Sequence, residues 1–171
     1  MVVRKILVLI YISTLVMGCN EKEKQPKFKL PNWSARHADI PSNDSLQIGK
    51  SYLSIYSQIY TLNEERKSNL TAMTSLRNTS EKDTIYISRA DYYDTYGVLI
   101  RHYLNKTIFI RPLETLEIVI EETDDEGGTG SNFIFEWQKP ISCPEPMFEG
   151  VMSSTIGQQG LSFTTRSRRI E

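Results

Sequence analysis

Short runs of β-branched and aromatic residues, separated by Gly, Pro, Asn and Asp, dominate the chain after Ser45. Runs of this kind, bounded by turn-forming residues, predict β-strands. In two runs an inward-facing residue recurs at every second position, which turns one row of side chains towards a core and the other towards water. These rows are Leu70, Ala72, Thr74 and Leu76, and Leu116, Ile118 and Ile120. The predicted strands span residues 49–60, 70–78, 84–93, 98–104, 107–110, 115–122, 132–138, 148–153 and 161–165.

The first run, residues 49–60, fits two periods. Tyr52, Ile55 and Ile59 satisfy a helical stripe, whereas Leu53, Ile55 and Ile59 satisfy a strand. A strand is favoured because β-branched and aromatic residues dominate the run. Many short strands without a long helical pattern predict an all-β fold, an immunoglobulin-like antiparallel β-sandwich over residues 46–171.

Two connections carry turn-forming residues. Residues 94–97 (DTYG) predict a hairpin loop in which Gly97 adopts a positive φ. Residues 111–114 (RPLE) predict a second turn, because Pro112 fixes its own φ and has no N–H to donate to a neighbouring strand.

The segment before the predicted domain has a different composition. Residues 20–45 are rich in Lys, Glu, Asn and Pro and poor in aliphatic side chains, which indicates a flexible tether over residues 19–45. Phe28 and Trp33 are the exceptions, and we expect one of them to pack against the domain.

The amino terminus is typical of an export signal. Arg4 and Lys5 precede an apolar segment, residues 6–16, that is too short to cross a bilayer and fits a signal-peptide core over residues 1–18. Residues 16–19 (VMGC) resemble the bacterial lipobox, in which the cysteine receives a diacylglycerol. The resemblance implies lipid attachment at Cys19 and a membrane-anchored protein of the bacterial cell envelope. Asn20 is compatible with the outer membrane, and either face of that membrane remains open.

Charge and cysteine content narrow the function classes. Removal of residues 1–18 takes away Arg4 and Lys5, so the 20 basic side chains fall to 18 against 21 acidic ones, a formal charge of −3. A mildly acidic protein is a poor partner for nucleic acid. If Cys19 carries lipid, Cys143 has no partner for an intramolecular disulfide, and the core must stabilise the domain without one.

Five short segments carry a resemblance to a known family. In their order, they are similar to the bacterial family known as domain of unknown function 3124, over roughly residues 51–168. Members of that family are typically exported, often as lipoproteins, in agreement with the prediction for Cys19. The family brings no assigned activity, so the resemblance implies no catalytic residue and no cofactor. The segments are residues 75–79 (SLRNT), 92–97 (YYDTYG), 127–133 (GGTGSNF), 136–137 (EW) and 158–166 (QQGLSFTTR).

An acidic stretch followed by glycines, residues 121–132, is the richest candidate site. The oxygens of Glu121, Asp124, Asp125 and Glu126 suit a hard cation such as calcium, although the spacing matches no EF-hand loop. The three glycines would suit an anion, but the neighbouring carboxylates would repel it. The favoured interpretation is a connecting loop, and a calcium-dependent binding or enzymatic domain remains the alternative function.

Tyrosines near the predicted hairpin form the second candidate. Tyr92, Tyr93 and Tyr96 would present large contact area with a polar tip, as recognition surfaces do. Packing within the sandwich is the alternative, and the favoured one.

Catalytic residues are scarce. Cys143 and His102 are a possible thiol and base, but Cys143 lies in a proline-bounded loop with no helix start to activate it. We therefore expect no enzyme, no metal site and no cofactor. The sequence predicts a lipid-anchored envelope protein that acts as a non-catalytic binding or assembly module for an envelope partner.

Overall fold

A computed structural model describes residues 32–40, 45–155 and 160–171 of the chain. The predicted signal peptide, Cys19 and Phe28 lie outside these residues. Within them, no helix is long and apolar enough to span a bilayer.

The described residues form twelve strands and one turn of 3-10 helix, Trp33–Arg36. The strands are β1 (Leu46–Ser54), β2 (Gln58–Thr61), β3 (Asn63–Asn69), β4 (Thr71–Arg77), β5 (Ile85–Tyr93), β6 (Leu99–His102), β7 (Ile108–Ile110), β8 (Thr115–Ile120), β9 (Asn132–Pro140), β10 (Met147–Ser154), β11 (Leu161–Arg166) and β12 (Arg168–Arg169).

Two antiparallel sheets face each other across one core. The larger sheet has the order β12-β1-β9-β5-β6, with β7 also paired to β5, and the smaller has the order β11-β10-β4-β8. Strands β2 and β3 form a separate two-stranded hairpin. The prediction of an all-β antiparallel sandwich is therefore confirmed.

Aromatic rings fill the space between the sheets. Phe133 and Phe135 stack with ring centroids 5.3 Å apart, and Phe135 stacks at 4.2 Å on Phe148 from the opposite sheet. Trp137 is fully buried and donates its indole N–H to Ser51 Oγ at 3.0 Å. Both predicted inward rows are buried, since alternate residues of β4 and β8 face this core.

The predicted strand over residues 49–60 is two strands. The chain leaves the larger sheet after Ser54, and β2 begins at Gln58. Strand β3, with the sequence NEERKSN, has no counterpart among the predicted strands because it lacks an apolar row.

The end of the predicted tether packs on the domain. Trp33 is partly buried against the core, as expected of one of the two aromatic residues. The guanidinium of Arg36 pairs with both carboxylate oxygens of Glu114 at 2.6 and 2.9 Å. Ala38 N–H donates to Thr107 O at 3.1 Å, so this segment lies beside β7.

Strand β5 connects two ends of the sandwich. Its nine residues, at about 3.3 Å per residue, place Ile85 and Tyr93 about 26 Å apart. We call the end near Tyr93, with residues 55–57, 94–98 and 121–131, the loop end. We call the other, with residues 78–83, 111–114 and 141–146, the Glu114 end.

Candidate functional site

Three connections at the loop end are tied together by hydrogen bonds. The Ser131 hydroxyl donates to Ile55 O at 2.8 Å and accepts from the Tyr92 hydroxyl at 3.2 Å. Ser57 and Gln58 both donate to Gly128 O, from Oγ at 3.1 Å and from N–H at 3.0 Å. These bonds join the β1–β2 and β8–β9 connections, which are distant in sequence.

The β5–β6 turn is fixed to the same loop. Thr95 donates from its N–H and its hydroxyl to Gly127 O, at 3.1 and 3.0 Å, and its hydroxyl accepts from Gly130 N–H at 2.9 Å. Within the turn, Asp94 Oδ1 accepts the N–H groups of Tyr96 and Val98, both at 2.8 Å. A side-chain oxygen that satisfies two backbone donors holds the turn in one conformation.

Gly97 and Gly128 supply the backbone freedom that these loops need. Gly97 has φ +80° in the β5–β6 turn, as the sequence predicted, and Gly128 has φ +69° in the β8–β9 loop. Only glycine adopts this region without a steric cost from Cβ. The predicted turn at residues 111–114 is also present, closed by the N–H of Glu114 to Arg111 O at 3.1 Å.

A shallow depression of about 120 Å³ opens between these loops and the β2–β3 hairpin. Pockets for drug-sized ligands are typically about 300–1,000 Å³, so this depression fits contact with one part of a larger ligand. Its lining residues are Tyr60, Lys67, Asp94, Thr95, Tyr96, Glu126, Gly127, Gly128 and Thr129.

The three candidate tyrosines occupy different environments. Tyr96 is 90% exposed at the rim of the depression, and Tyr93 is partly buried on the outer face of the larger sheet. Tyr92 is fully buried and stacks on Phe133 with ring centroids 5.0 Å apart. Burial raises the pKa of Tyr92, so its hydroxyl stays protonated and donates to Ser131.

Tyr92 therefore packs within the sandwich, in agreement with the favoured interpretation, and its side chain is not part of a recognition surface. A β-bulge between Ile87 and Arg89 inserts one residue into β5 relative to β9. The inward row changes there from Ile85 and Ile87 to Ala90 and Tyr92, which a strict two-residue period does not anticipate.

The acidic residues of the loop are spread over different surroundings. Glu121 and Asp125 are exposed, whereas Asp124 is partly buried and accepts from Arg101 at 3.0 Å. Glu126 lies 3.5 Å from the same guanidinium. The described residues contain no group of three or more His, Cys, Asp or Glu side chains arranged to hold a metal ion.

Two N–H groups of the glycine loop are already hydrogen-bonded within the loop end. Gly128 N–H donates to Asp125 O at 3.0 Å, and Gly130 N–H donates to the Thr95 hydroxyl. An anion-binding loop needs such N–H groups aimed outwards. The loop therefore acts as a scaffold for its neighbours.

Sequence reasoning missed Tyr60 and Lys67 as site residues. They face each other across the β2–β3 hairpin, and the Lys67 ammonium lies 5.5 Å from the centroid of the Tyr60 ring. Tyr60 belonged to the ambiguous first run, and β3 was not predicted as a strand. Only the pairing of these strands places the two residues at the loop end.

A second polar cluster covers the outer face of the larger sheet. Asp91 is 3% exposed and accepts from Arg89 Nε at 2.5 Å and from His102 Nδ1 at 2.7 Å. Arg89 also pairs with Glu136 at 2.9 Å. The carboxylates of Asp91 and Glu136 raise the pKa of Arg89 above its usual value.

Cys143 and His102 do not meet. His102 is exposed beside Asp91 on the outer sheet face, whereas Cys143 is buried in the turn after β9, at the Glu114 end. Burial raises the pKa of the Cys143 thiol, which makes it a weak nucleophile at neutral pH.

A larger depression, of about 450 Å³, lies where residues 37–40 run beside Lys106 and Thr107. Its lining adjoins residues 41–44, which are outside the described part of the chain. It therefore supports no assignment.

Comparisons with known proteins place the chain in a family. No curated protein matches it in sequence. A solved structure, "Crystal Structure of Thermotoga maritima 1070", is 11% identical, with a TM-score of 0.43 over 70% of this chain and 92% of that one. Residues 48–170 match the family model described as "Protein of unknown function (DUF3124)". That match covers most of the chain, which therefore belongs to the DUF3124 family.

Proposed function

We propose that the protein is a lipid-anchored component of the bacterial cell envelope, held at the outer membrane through Cys19. It acts as a non-catalytic recognition module whose loop end faces away from the bilayer. The observation that carries this proposal is the position of the docked segment. The chain arriving from Cys19 reaches the sandwich where Arg36 pairs with Glu114, about 26 Å along β5 from the tied loops.

The docked segment limits how the domain can turn. Residues 32–40 run beside β7 towards the loop end, so the chain enters from the opposite side. The roughly 13 residues between Cys19 and Asn32 reach at most about 45 Å even when fully extended. A domain attached in this way keeps its Glu114 end nearer the membrane on average and its loop end available to a partner.

The loop end has the character of a binding surface. Its backbone is held by hydrogen bonds among three connections, while the Tyr96 ring stays exposed. A surface that is ordered before binding loses less conformational entropy when a partner docks. The candidate thiol, Cys143, is buried at the Glu114 end and lies away from this surface, which favours recognition over catalysis.

Energy transfer to acceptor dyes on lipid headgroups tests the orientation. A donor fluorophore on Ile141→Cys, at the Glu114 end, should be quenched more by these acceptors in vesicles that carry the lipidated protein. The same fluorophore on Val98→Cys, at the loop end, should be quenched less. Both side chains are exposed and Cys143 is buried, so labelling is selective. Stronger quenching at position 98 would contradict the orientation.

The anchor has an independent test. Cys19→Ala should abolish labelling by a fatty-acid analogue and leave an unprocessed precursor. Incorporation of the analogue into the alanine variant would contradict lipid attachment at Cys19.

Crosslinking in intact cells tests the recognition role. A photo-reactive residue at position 96 should capture a defined envelope component, whereas the same residue at the exposed position 141 should not. Equal recovery of abundant membrane proteins from both positions would count against recognition at the loop end.

A further inference from the structure

We infer that the loop end binds a neutral carbohydrate chain, with one sugar ring stacked on Tyr96 and its hydroxyl groups contacting Lys67 and Glu126. This inference deepens the proposed recognition function and rests on it. It rests on the side chains that line the depression and on the ligand classes that these side chains would bind poorly.

The Tyr96 ring is an exposed flat apolar surface on a rigid support. It is 90% exposed, and Asp94 Oδ1 fixes the backbone on both sides of it by accepting the N–H groups of Tyr96 and Val98. The axial C–H groups of a pyranose form a flat, weakly polar face that stacks on such a ring. Because the support is already ordered, stacking costs little conformational entropy.

The polar groups around the ring include both donors and acceptors. The Lys67 ammonium donates only, and the Glu126 carboxylate, with a side chain 64% exposed, accepts only. Thr129 adds a hydroxyl that can do both. Each sugar hydroxyl also donates and accepts, so adjacent hydroxyls can satisfy an ammonium and a carboxylate together.

Other ligand classes fit the depression less well. The N–H groups of Gly128 and Gly130 are hydrogen-bonded within the loops and are not available to an anion, and the neighbouring carboxylate of Glu126 would repel it. Arg101 lies against Asp124 and Glu126, and its guanidinium would repel a cation there. The lining contains no aliphatic side chain, so an apolar anchor residue of a peptide would find no pocket.

The size of the depression suggests how the chain is held. A volume of about 120 Å³ suits contact with one or two sugar units, and its open form leaves room for a longer chain on either side. We therefore expect binding along the side of an oligosaccharide, with low affinity for a free monosaccharide.

Saturation-transfer NMR tests this inference on the mature lipidated protein in a detergent without a sugar headgroup. The probes are cellohexaose, xylohexaose, mannohexaose and maltohexaose. At least one should receive saturation, and Tyr96→Ala should weaken its affinity about tenfold or more through loss of the ring. Tyr96→Phe keeps the ring face and should bind within about threefold of the original.

Val98→Ala is the matched control. Val98 lies in the same turn, is 61% exposed and does not line the depression, so its truncation should leave binding unchanged. Tyr96→Ala should unfold at the same temperature as the original chain, because an exposed side chain contributes little to stability. A loss of binding without a loss of stability then belongs to the ring itself.

Two results would overturn the inference. One is the absence of saturation for all four hexasaccharides at about 10 mM, well above typical binding constants. The other is saturation that Tyr96→Ala leaves intact. If position 96 still captures an envelope protein in cells, the carbohydrate class is wrong and the recognition function stands. If position 96 captures nothing specific either, both fail.

Discussion

Trp137 can lie flat in the core because the residue opposite it has no side chain. Gly49 on β1 pairs with Trp137 on β9, and a Cβ on Gly49 would collide with the indole ring. The ring cannot move aside freely, since its N–H donates to Ser51 and Arg169 lies 5.3 Å from the ring centroid.

Gly49→Ala should therefore destabilise the fold by about 1–3 kcal/mol, the usual cost of overpacking. Urea unfolding should show a lower midpoint with an unchanged slope. Gly160→Ala is the control, because a Cβ there meets only ordinary contact at 3.8 Å. Equal midpoints for both variants would show that β1 shifts to accommodate the methyl group.

Asp91 is a buried carboxylate on the face of the sheet that should be solvated. Arg89, His102 and Tyr93 cover it, so its burial depends on hydrogen bonds and not on apolar packing. Loss of one partner of a buried pair leaves the other charge poorly compensated.

We expect Asp91→Ala to destabilise the protein by about 3 kcal/mol. The double variant with Arg89→Met should recover part of that loss, because the guanidinium that is left with Glu136 as its only carboxylate partner among the described residues is then gone. Asp125→Asn, at an exposed acid, should change the free energy of unfolding by less than about 0.5 kcal/mol. Additive losses in the Asp91 and Arg89 variants would contradict a coupled network.

The side-chain rows were predictable wherever a strand is regular. Leu116, Ile118 and Ile120 needed only the two-residue period. Tyr92 was not predictable in this way, because the bulge in β5 exchanges the two faces and depends on pairing with β9.

Among the structural elements, the turn after β9 is organised around a buried lysine. The Lys139 ammonium is the donor to Pro140 O, Ile141 O and Cys143 O, with the Cys143 contact at 2.5 Å. Its side chain is 3% exposed, so these carbonyl groups replace the water that the charge loses.

Lys139→Met should destabilise the protein by about 2–3 kcal/mol, since three carbonyls lose a charged donor and the bond to Cys143 O is a buried one. Lys106→Met, at an exposed lysine, should change little in the same chemical denaturation experiment. A neutral result for Lys139→Met would mean that water reaches these carbonyls once the ammonium is removed.

The docking of residues 33–38 should depend on pH through Glu114. Hydrogen bonds from Arg36, against the opposing effect of partial burial, lower the pKa of Glu114 from 4.5. The ionised Glu114 carboxylate stabilises the docked state fully at pH values above the ordinary pKa of a glutamate. This stabilisation is lost as the pH falls through the lowered pKa that Glu114 has in the folded protein.

Trp33 fluorescence reports this undocking, because Trp33 is partly buried and Trp137 is fully buried. Its emission should shift to the red below pH 4.5 while the core remains folded. Arg36→Met should remove most of that dependence and should weaken docking by about 1 kcal/mol at neutral pH. An identical pH profile for Arg36→Met would assign the transition to another group.

Strand β3 could not be predicted from the pattern of hydrophobic and polar residues. Its residues NEERKSN carry no apolar row, because the first five of them are exposed on both faces of the strand. Backbone pairing with β2 and the bond from the Gln58 side-chain N–H to Asn69 Oδ1, at 2.9 Å, hold it. Such a strand cannot be told from a loop by its hydrophobic pattern.

On the scale of the whole molecule, the class of fold followed from strand spacing, but the site did not. Thr95 and Gly127 meet because β5 ends where β9 begins, and only the order of strands in the sheet establishes that neighbourhood. The tyrosine turn and the glycine loop were separate candidates in the sequence. The fold makes them one surface and adds Lys67 from a strand that was not predicted.

Stability of the whole domain can be followed through Cys143. The thiol is free and 3% exposed, and burial raises its pKa. Reaction with a thiol reagent therefore requires the protein to open. For a domain of ordinary stability, the native rate should be at least about 10³-fold below that of the unfolded chain.

The rate at which Cys143 reacts should rise with urea in parallel with global unfolding. A reducing agent should leave the melting temperature unchanged, because the described residues contain no disulfide. Ile141→Cys, which replaces a side chain that is 70% exposed two positions away, should react at once and serves as the control. If Cys143 instead reacts fast in native protein and Lys139→Met accelerates it further, the turn after β9 opens by itself. The core would then be more stable than this end of the sandwich.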